Sequence, residues 1–122
     1  MLKLKSFLLI NKIKQIYISE SVKYSSRILL DDYELNEYTN SNDNTIFFGL
    51  YNIEDYSKLY YHKGKKWLLF EGDEVNINSN YNFKLLEYSI DTNLDGIISF
   101  YKNNNDKFIK FNLTPLLINP FD

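Results

Sequence analysis

The apolar positions between residues 45 and 53 predict a β-strand. This segment is rich in β-branched and aromatic residues, and both of its alternating faces carry large apolar side chains, so both faces need cover from another layer. Gly49 inside the segment indicates a bulge or a close approach of two backbones. Residues 24–30 are apolar enough for an earlier strand, and the polar residues 31–44 that follow end in an asparagine-rich loop.

Two short apolar segments, residues 59–62 and 67–70, flank a lysine-rich turn. With Gly64 supplying a positive φ, a two-residue turn would close an antiparallel β-hairpin and place His62 opposite Trp67. This pairing predicts that the imidazole of His62 has a packing role.

Asp95 and Gly96 form the strongest hairpin signal in the chain. Their turn would begin a strand over residues 97–101, and a second turn at residues 103–106 would bring residues 107–113 back beside it. The strand is largely apolar on both sides, which is typical of a central strand covered by another layer.

Residues 2–19 fit either a helix or a pair of strands, and their spacing favours a helix around residues 6–15 and a strand near residues 16–18. The elements together predict an α+β fold, a mostly antiparallel β meander from about residue 45 to residue 113 with an N-terminal helix or strand packed on it. The alternative is an all-β sandwich or barrel. A chain of 122 residues is long enough for one core, so residues 1–122 are expected to form a single domain.

The amino-acid composition excludes several kinds of functional site but does not identify one. The chain has no cysteine, which excludes a disulfide framework, a thiolate nucleophile and a cysteine zinc site. Asn11 and Lys12 end the N-terminal apolar run after four residues, which is too short for a signal peptide. We therefore expect a cytoplasmic protein with no membrane span and no cofactor. The abundance of Asn, Lys, Ile and Tyr is typical of an AT-rich bacterial genome.

Charge is distributed in blocks that the net charge of −2 conceals. Residues 31–57 carry seven acidic groups and no Lys or Arg, and tyrosines are interleaved among them. Carboxylates without local cations produce a negative field suited to a basic partner, and tyrosines supply rigid contact area. The residues expected to bind that partner are Asp31, Asp32, Tyr33, Glu34, Glu37, Tyr38, Glu54 and Asp55.

A calcium loop is the sharpest chemical alternative. Asp91, Asn93, Asp95 and Gly96 match the first, third, fifth and sixth places of an EF-hand loop. The twelfth place, where a bidentate glutamate should stand, holds Lys102. The sequence therefore favours a hairpin turn here, with a calcium-binding or small-ligand-binding β domain as an alternative.

Catalytic and nucleic-acid functions have weaker support. His62 is the sole histidine, and no local motif gives it a nucleophile or an orienting carboxylate, so we expect a protein that is not an enzyme. The hairpin tip at residues 63–67, from Lys63 to Trp67, mixes cations with an aromatic ring, as single-stranded nucleic-acid platforms do. A nucleic-acid-binding module is therefore kept as a further alternative, although the mildly acidic chain makes nucleic acid the less favoured partner.

In its size, its acidity, its lack of cysteine and its lack of a catalytic motif, the chain resembles the small bacterial immunity proteins that neutralise contact-dependent or polymorphic toxins. The resemblance implies a protein that binds and occludes a basic toxin domain, of which a nuclease is one kind. It implies no cofactor and no membrane contact.

Overall fold

A computed structural model describes residues 2–22, 33–70, 88–89, 94–99 and 116–117. The elements in these ranges are α1 (Leu2–Ile10), β1 (Gln15–Ile18), β2 (Asn36–Glu37), β3 (Thr45–Phe48), α2 (Ile53–Tyr61), β4 (Lys66–Phe70), β5 (Gly96–Ser99) and β6 (Leu116–Leu117). None of the helices in this described part is long and apolar enough to cross a membrane.

The described strands form one sheet in the order β2-β1-β3-β4-β5-β6, and every neighbouring pair is parallel. The predicted α+β antiparallel meander is therefore wrong, as is the all-β alternative, because the described chain is of the α/β type. Parallel strands cannot be joined by tight turns, and α2 forms the crossover connection between β3 and β4. Apolar side chains on both faces of a central strand such as β3 are the expected consequence, whereas β2 at the edge is polar and exposed.

The sheet separates two cores. On the side of α1, residues from β1, β3, β4 and β5 pack with the helix; the buried members are Leu8, Ile13, Ile16, Val22, Ile46, Phe48, Tyr51, Trp67, Leu69 and Ile98. On the side of α2, the buried members are Phe47, Leu50, Tyr56, Leu59, Leu68 and Ile97. Alternate residues of a strand point to opposite faces, which is why Ile97 and Ile98 lie in different cores.

The predicted hairpin around Gly64 is wrong, because residues 59–61 belong to α2 rather than to a strand. Asn52 caps the start of α2 by accepting from the Asp55 N–H at 3.0 Å, and His62 caps its end. Gly64 is required for a close approach, since a Cβ there would lie 2.5 Å from the Asn42 carbonyl oxygen. The positive φ predicted for Gly64 occurs instead at Gly49, which is the one glycine among the described residues with this conformation.

The predicted turn at Asp95 and Gly96 is also wrong, because Gly96 is the first residue of β5. This strand pairs in parallel with β4 on one side and with β6 on the other, so it does lie inside the sheet. The predicted partners at residues 103–106 and 107–113 lie outside the described residues. Ile97 and Ile98 are both buried, as expected for a strand covered on both faces.

At the N-terminus a helix followed by a strand is confirmed, although α1 ends before the predicted boundary. The Ile13 N–H donates to the Leu8 carbonyl at 2.8 Å and the Lys12 N–H donates to the Leu9 carbonyl at 3.2 Å, which is the Schellman pattern of a helix end. Lys12 adopts the left-handed conformation, with φ 55°, that this ending requires. The strand predicted over residues 24–30 lies outside the described residues.

The strand predicted over residues 45–53 is shorter than expected, since β3 ends at Phe48. Gly49, with φ 85°, turns the chain out of the sheet and towards α2. A Cβ at this position would lie 2.7 Å from the Tyr51 ring, so the close approach at Gly49 is to side chains rather than to a second backbone.

Candidate functional site

A buried carboxylate lies where the carboxyl ends of β1 and β3 meet. The Tyr17 hydroxyl donates to Asp55 Oδ1 at 2.8 Å, and the Ser19 hydroxyl donates to Oδ2 at 2.7 Å. The backbone N–H groups of Tyr51 and Asn52 also donate to Oδ2, at 2.8 and 3.2 Å. Because β1 has neighbours on both sides that follow it in the chain, this is the switch point at which open α/β sheets commonly bind ligands.

Asp55 is buried at the switch point and joins the surrounding segments through hydrogen bonds. Its side chain is 1% exposed, and four protein donors occupy its two oxygens. Burial, reinforced by the hydrogen bond to Asp55, raises the pKa of the Tyr17 phenol, which therefore stays protonated and able to donate. The network ties the end of β1 to the first turn of α2, which is a structural role.

Beside this network, α2 and the segment after β2 form a cleft of about 470 Å³, here called the Tyr38 cleft. One wall is the exposed side of α2 and the other is the chain that follows β2; the lining residues are Tyr38, Thr39, Ser41, Glu54, Ser57, Lys58 and Tyr61. Lys58 Nζ lies 5.8 Å from the centre of the Tyr38 ring, within the range of a cation–π contact. Tyr61 is 73% exposed at the cleft.

Tyr38 is the best anchored residue of this cleft. Its hydroxyl lies 2.8 Å from Nδ1 of His62, and its ring packs edge-on against Tyr17 and in a tilted arrangement against Phe47. Burial raises the pKa of its phenol, so the hydroxyl keeps its proton. One side of Tyr38 therefore lines the cleft while its polar end reaches towards the interior.

His62 lies directly behind Tyr38 and is 3% exposed. Its Nε2 is buried and has no hydrogen-bond partner. Burial lowers the pKa of the imidazole and the nearby ammonium of Lys66 lowers it further, while the backbones of Asp43 and Lys65 act in the opposite direction. The predicted packing role is consistent with its edge-on contact with Phe47, although the hairpin assumed for it does not exist.

The side chain of Lys66 caps the C-terminal end of α2, next to His62. Its Nζ donates to the carbonyl oxygens of His62 at 2.8 Å and Leu59 at 3.2 Å, and the Leu59 carbonyl also accepts the backbone N–H of His62 at 3.2 Å. Burial lowers the pKa of the Lys66 ammonium. The buried imidazole of His62 and the partly buried ammonium of Lys66 thus lie close together.

A second cleft, of about 230 Å³, lies on the other side of α2 and is here called the Tyr88 cleft. It is lined mainly by aromatic side chains, namely Ile53, Tyr56, Ser57, Tyr60, Tyr61, Tyr88 and Ser89. Tyr60 and Tyr61 are both exposed, and their rings meet edge-on with centres 5.1 Å apart. The exposed side of α2 thus carries aromatic surface between two concave regions.

The residues predicted to bind a partner fall in different environments. Tyr38 and Glu54 line the same cleft, and Glu37 is exposed on the edge strand next to Tyr38. Tyr33 packs partly buried against the core on the α1 side, and Glu34 is exposed in a left-handed conformation.

Asp55, which the sequence placed in the same acidic face, is buried in its own network. Asp31 and Asp32 lie outside the described residues.

Asp95 and Trp67, which belong to the calcium-binding and nucleic-acid-binding alternatives, have structural roles. Asp95 Oδ2 accepts the backbone N–H of Lys66 at 2.9 Å, and its calcium partners Asp91 and Asn93 lie outside the described residues. Within the described ranges, no group of three His, Cys, Asp or Glu side chains is placed to hold a metal ion. Trp67 is buried edge-on against Phe7, with ring centres 5.7 Å apart, so its face is not presented for base stacking.

Several residues of the Tyr38 cleft were missed from sequence because residues 59–62 were assigned to a strand. The capping box between Asn52 and Asp55 was the available signal for a helix, and on a helix Glu54, Lys58 and Tyr61 share one side. The chain matches no protein-family model, and neither curated proteins nor solved structures gave a significant match.

Proposed function

We propose that this protein is a binding protein rather than an enzyme, and that it covers a basic protein partner, as the resemblance to bacterial immunity proteins implies. The observation that carries the proposal is the Tyr38 cleft. There Tyr38 and Glu54, which are separated in the chain and were both expected to contact a partner, line one concave surface.

The chemistry of the cleft suits a guanidinium or ammonium group. Glu54 is exposed and offers two acceptor oxygens, while the rings of Tyr38 and Tyr61 offer faces on which a cation can stack. Tyrosine also gives a large contact area for few rotatable bonds, so little conformational entropy is lost on binding. Aromatic residues are enriched at protein interfaces, and a negative charge beside them complements a basic partner.

Lys58 occupies the position that such a cation would take. It follows Glu54 by four residues on α2, which is the spacing of a helical ion pair, and it lies over the Tyr38 ring. A basic partner would compete with Lys58 for the Tyr38 ring. Replacing Lys58 with Ala is therefore expected to strengthen binding rather than weaken it.

The experiment is capture of a partner by the tagged full-length chain in the cells that encode it, followed by affinity measurements with the purified partner. The expected partner is a basic protein, and Glu54→Lys should weaken its binding by at least about tenfold, as loss and reversal of a paired charge does. Glu20→Lys, which makes the same charge change at an exposed site outside the cleft, is the matched control. A captured partner that binds Glu54→Lys as tightly as the native chain would overturn the proposal.

A further inference from the structure

A buried glutamine is bonded to the wall of the Tyr38 cleft that faces α2. Gln15 is the first residue of β1 and is 3% exposed. It lies two residues before Tyr17, so both side chains are on the α2 side of the sheet. In the sheet Gln15 pairs with Thr45 of β3, whose side chain lies on the same side. A polar side chain buried in this place needs hydrogen-bond partners.

The side-chain amide of Gln15 uses both of its polar atoms. Oε1 accepts the backbone N–H groups of Thr39 and Asn40 at 3.2 and 3.3 Å. Nε2 donates to the Asn40 carbonyl at 2.7 Å and to the Thr45 hydroxyl at 2.6 Å. That hydroxyl donates its own hydrogen to the Asp43 carbonyl at 2.8 Å, so it can only accept from Gln15. Rotating the amide by half a turn would set oxygen against oxygen, which fixes its orientation.

The same wall is held at both of its ends by the residues that follow α2. Tyr38 at one end is hydrogen-bonded to His62, and the Ser41 carbonyl at the other end accepts the backbone N–H of Lys63 at 2.7 Å. Between these ends, and among the described residues, the backbone N–H groups of residues 39 and 40 have no acceptor other than Gln15. The geometry of the middle of the wall therefore depends on this amide.

We propose that Gln15 is a positioning residue of the Tyr38 cleft, and that its amide holds the wall opposite α2 in the geometry that the basic partner binds. The inference rests on the proposed function for the partner, whereas the effect of Gln15 on the wall concerns the isolated chain. Gln15 does not line the cleft itself. A wall that is ordered before binding loses less conformational entropy when the partner binds, so removal of the amide weakens binding without removing a contact.

Two variants separate positioning from a general effect on stability. Gln15→Met removes the amide and keeps a side chain of similar length. Thr45→Val is the matched control, because it removes one bond of the same amide and leaves the three bonds to residues 39 and 40 in place. Both variants are expected to lower the free energy of unfolding. A merely structural Gln15 would give both variants the same behaviour in the cleft.

Amide hydrogen exchange tests the wall in the free full-length chain. The N–H groups of Thr39 and Asn40 should exchange slowly in the native chain, although both residues are exposed. Gln15→Met should raise their exchange rates by at least about tenfold, and Thr45→Val should leave them nearly unchanged. Equal rates in the native chain and in Gln15→Met would overturn the inference. If Gln15→Met does not fold, the native chain decides, since unprotected N–H groups at residues 39 and 40 would overturn the inference and protected ones would support it.

The affinity of the purified basic partner from the capture experiment tests the link to binding. Gln15→Met should weaken it by about tenfold, which corresponds to a wall that keeps the binding geometry for about a tenth of the time. Thr45→Val should bind as tightly as the native chain. Equal affinities of Gln15→Met and the native chain would overturn the positioning role. If no basic partner is captured, the proposed function fails by itself, while the exchange rates still decide whether Gln15 holds the wall.

Discussion

Replacing Asp55 with Ala is expected to be among the most damaging single changes in the chain. The substitution removes the acceptor of four donors, those of Tyr17, Ser19, Tyr51 and Asn52. It also removes half of the capping box at the start of α2. The donors would lose this acceptor while the fold keeps them in place, and a buried donor that loses its acceptor destabilises the folded state.

The expected loss in the free energy of unfolding depends on how deeply each donor is buried. The Ser19 hydroxyl and the Tyr51 N–H form buried bonds to Asp55, and removing this acceptor should cost about 1–3 kcal/mol for each bond. The bonds of Tyr17 and Asn52 are partly buried, so water can replace much of them, but loss of the cap adds about 1 kcal/mol. We expect a total loss of roughly 3–7 kcal/mol from a free energy of unfolding that is typically about 5–15 kcal/mol.

Urea unfolding measures this loss directly. Trp67, the sole tryptophan, is buried in the core on the α1 side and provides a fluorescence signal, and circular dichroism provides an independent one. Glu54→Gln, in the same helical turn but exposed, is the control and should change stability by no more than about 0.5 kcal/mol. A loss below about 1 kcal/mol for Asp55→Ala, with an unchanged denaturant slope, would refute the assigned role of Asp55.

Three further outcomes can be measured by the same unfolding assay. Lys12→Gly should raise the free energy of unfolding by up to about 1 kcal/mol, because glycine adopts the left-handed φ at this position without strain. Lys14→Gly is the control and should lower it. Equal effects of the two substitutions would contradict the Schellman ending of α1. Gly49→Ala should lower stability by more than about 1 kcal/mol, since its Cβ would meet the Tyr51 ring at 2.7 Å, and a neutral effect would contradict this contact. The lowered pKa of His62 means that, as the pH falls, the unfolded chain binds a proton at His62 before the folded chain does. The stability that neutral His62 contributes is therefore present above pH 6.5 and is lost below it, by at most about 1.4 kcal/mol per pH unit. The His62→Gln variant should lack this pH dependence.

The sequence predicted the positions of several strands but not their direction. Residues 45–53 were expected to be a strand because large apolar side chains point to both faces, and residues 67–70 were expected to be a strand beside a turn; strands are found at Thr45–Phe48 and Lys66–Phe70. That same two-sided burial is the signature of a parallel sheet covered by helices on both sides. Hairpins were predicted at Gly64 and Gly96, because a glycine near a polar residue indicates a turn. Such a signal does not show which elements the turn connects.

The site was only partly predictable for a related reason. Negative charge and tyrosine content drew attention to Tyr38 and Glu54, but only the fold brings them to one cleft. Asp55 resembled its neighbour Glu54 in sequence, yet its place at the third position of the capping box put it inside the molecule. Lys58 was not expected in a partner-binding surface, since its contact with Tyr38 depends on α2 crossing the sheet.

The central claim is that the Tyr38 cleft binds a basic protein, and a comparison of two neighbouring tyrosines tests it most directly. Tyr60 and Tyr61 are adjacent and both exposed, but only Tyr61 lines the Tyr38 cleft. The measurement is the affinity of the captured partner for Tyr61→Ala and for Tyr60→Ala. We expect Tyr61→Ala to weaken binding by at least about tenfold, as the loss of an aromatic anchor does, and Tyr60→Ala to weaken it much less. Equal losses, or a greater loss for Tyr60→Ala, would contradict the assignment of binding to this cleft.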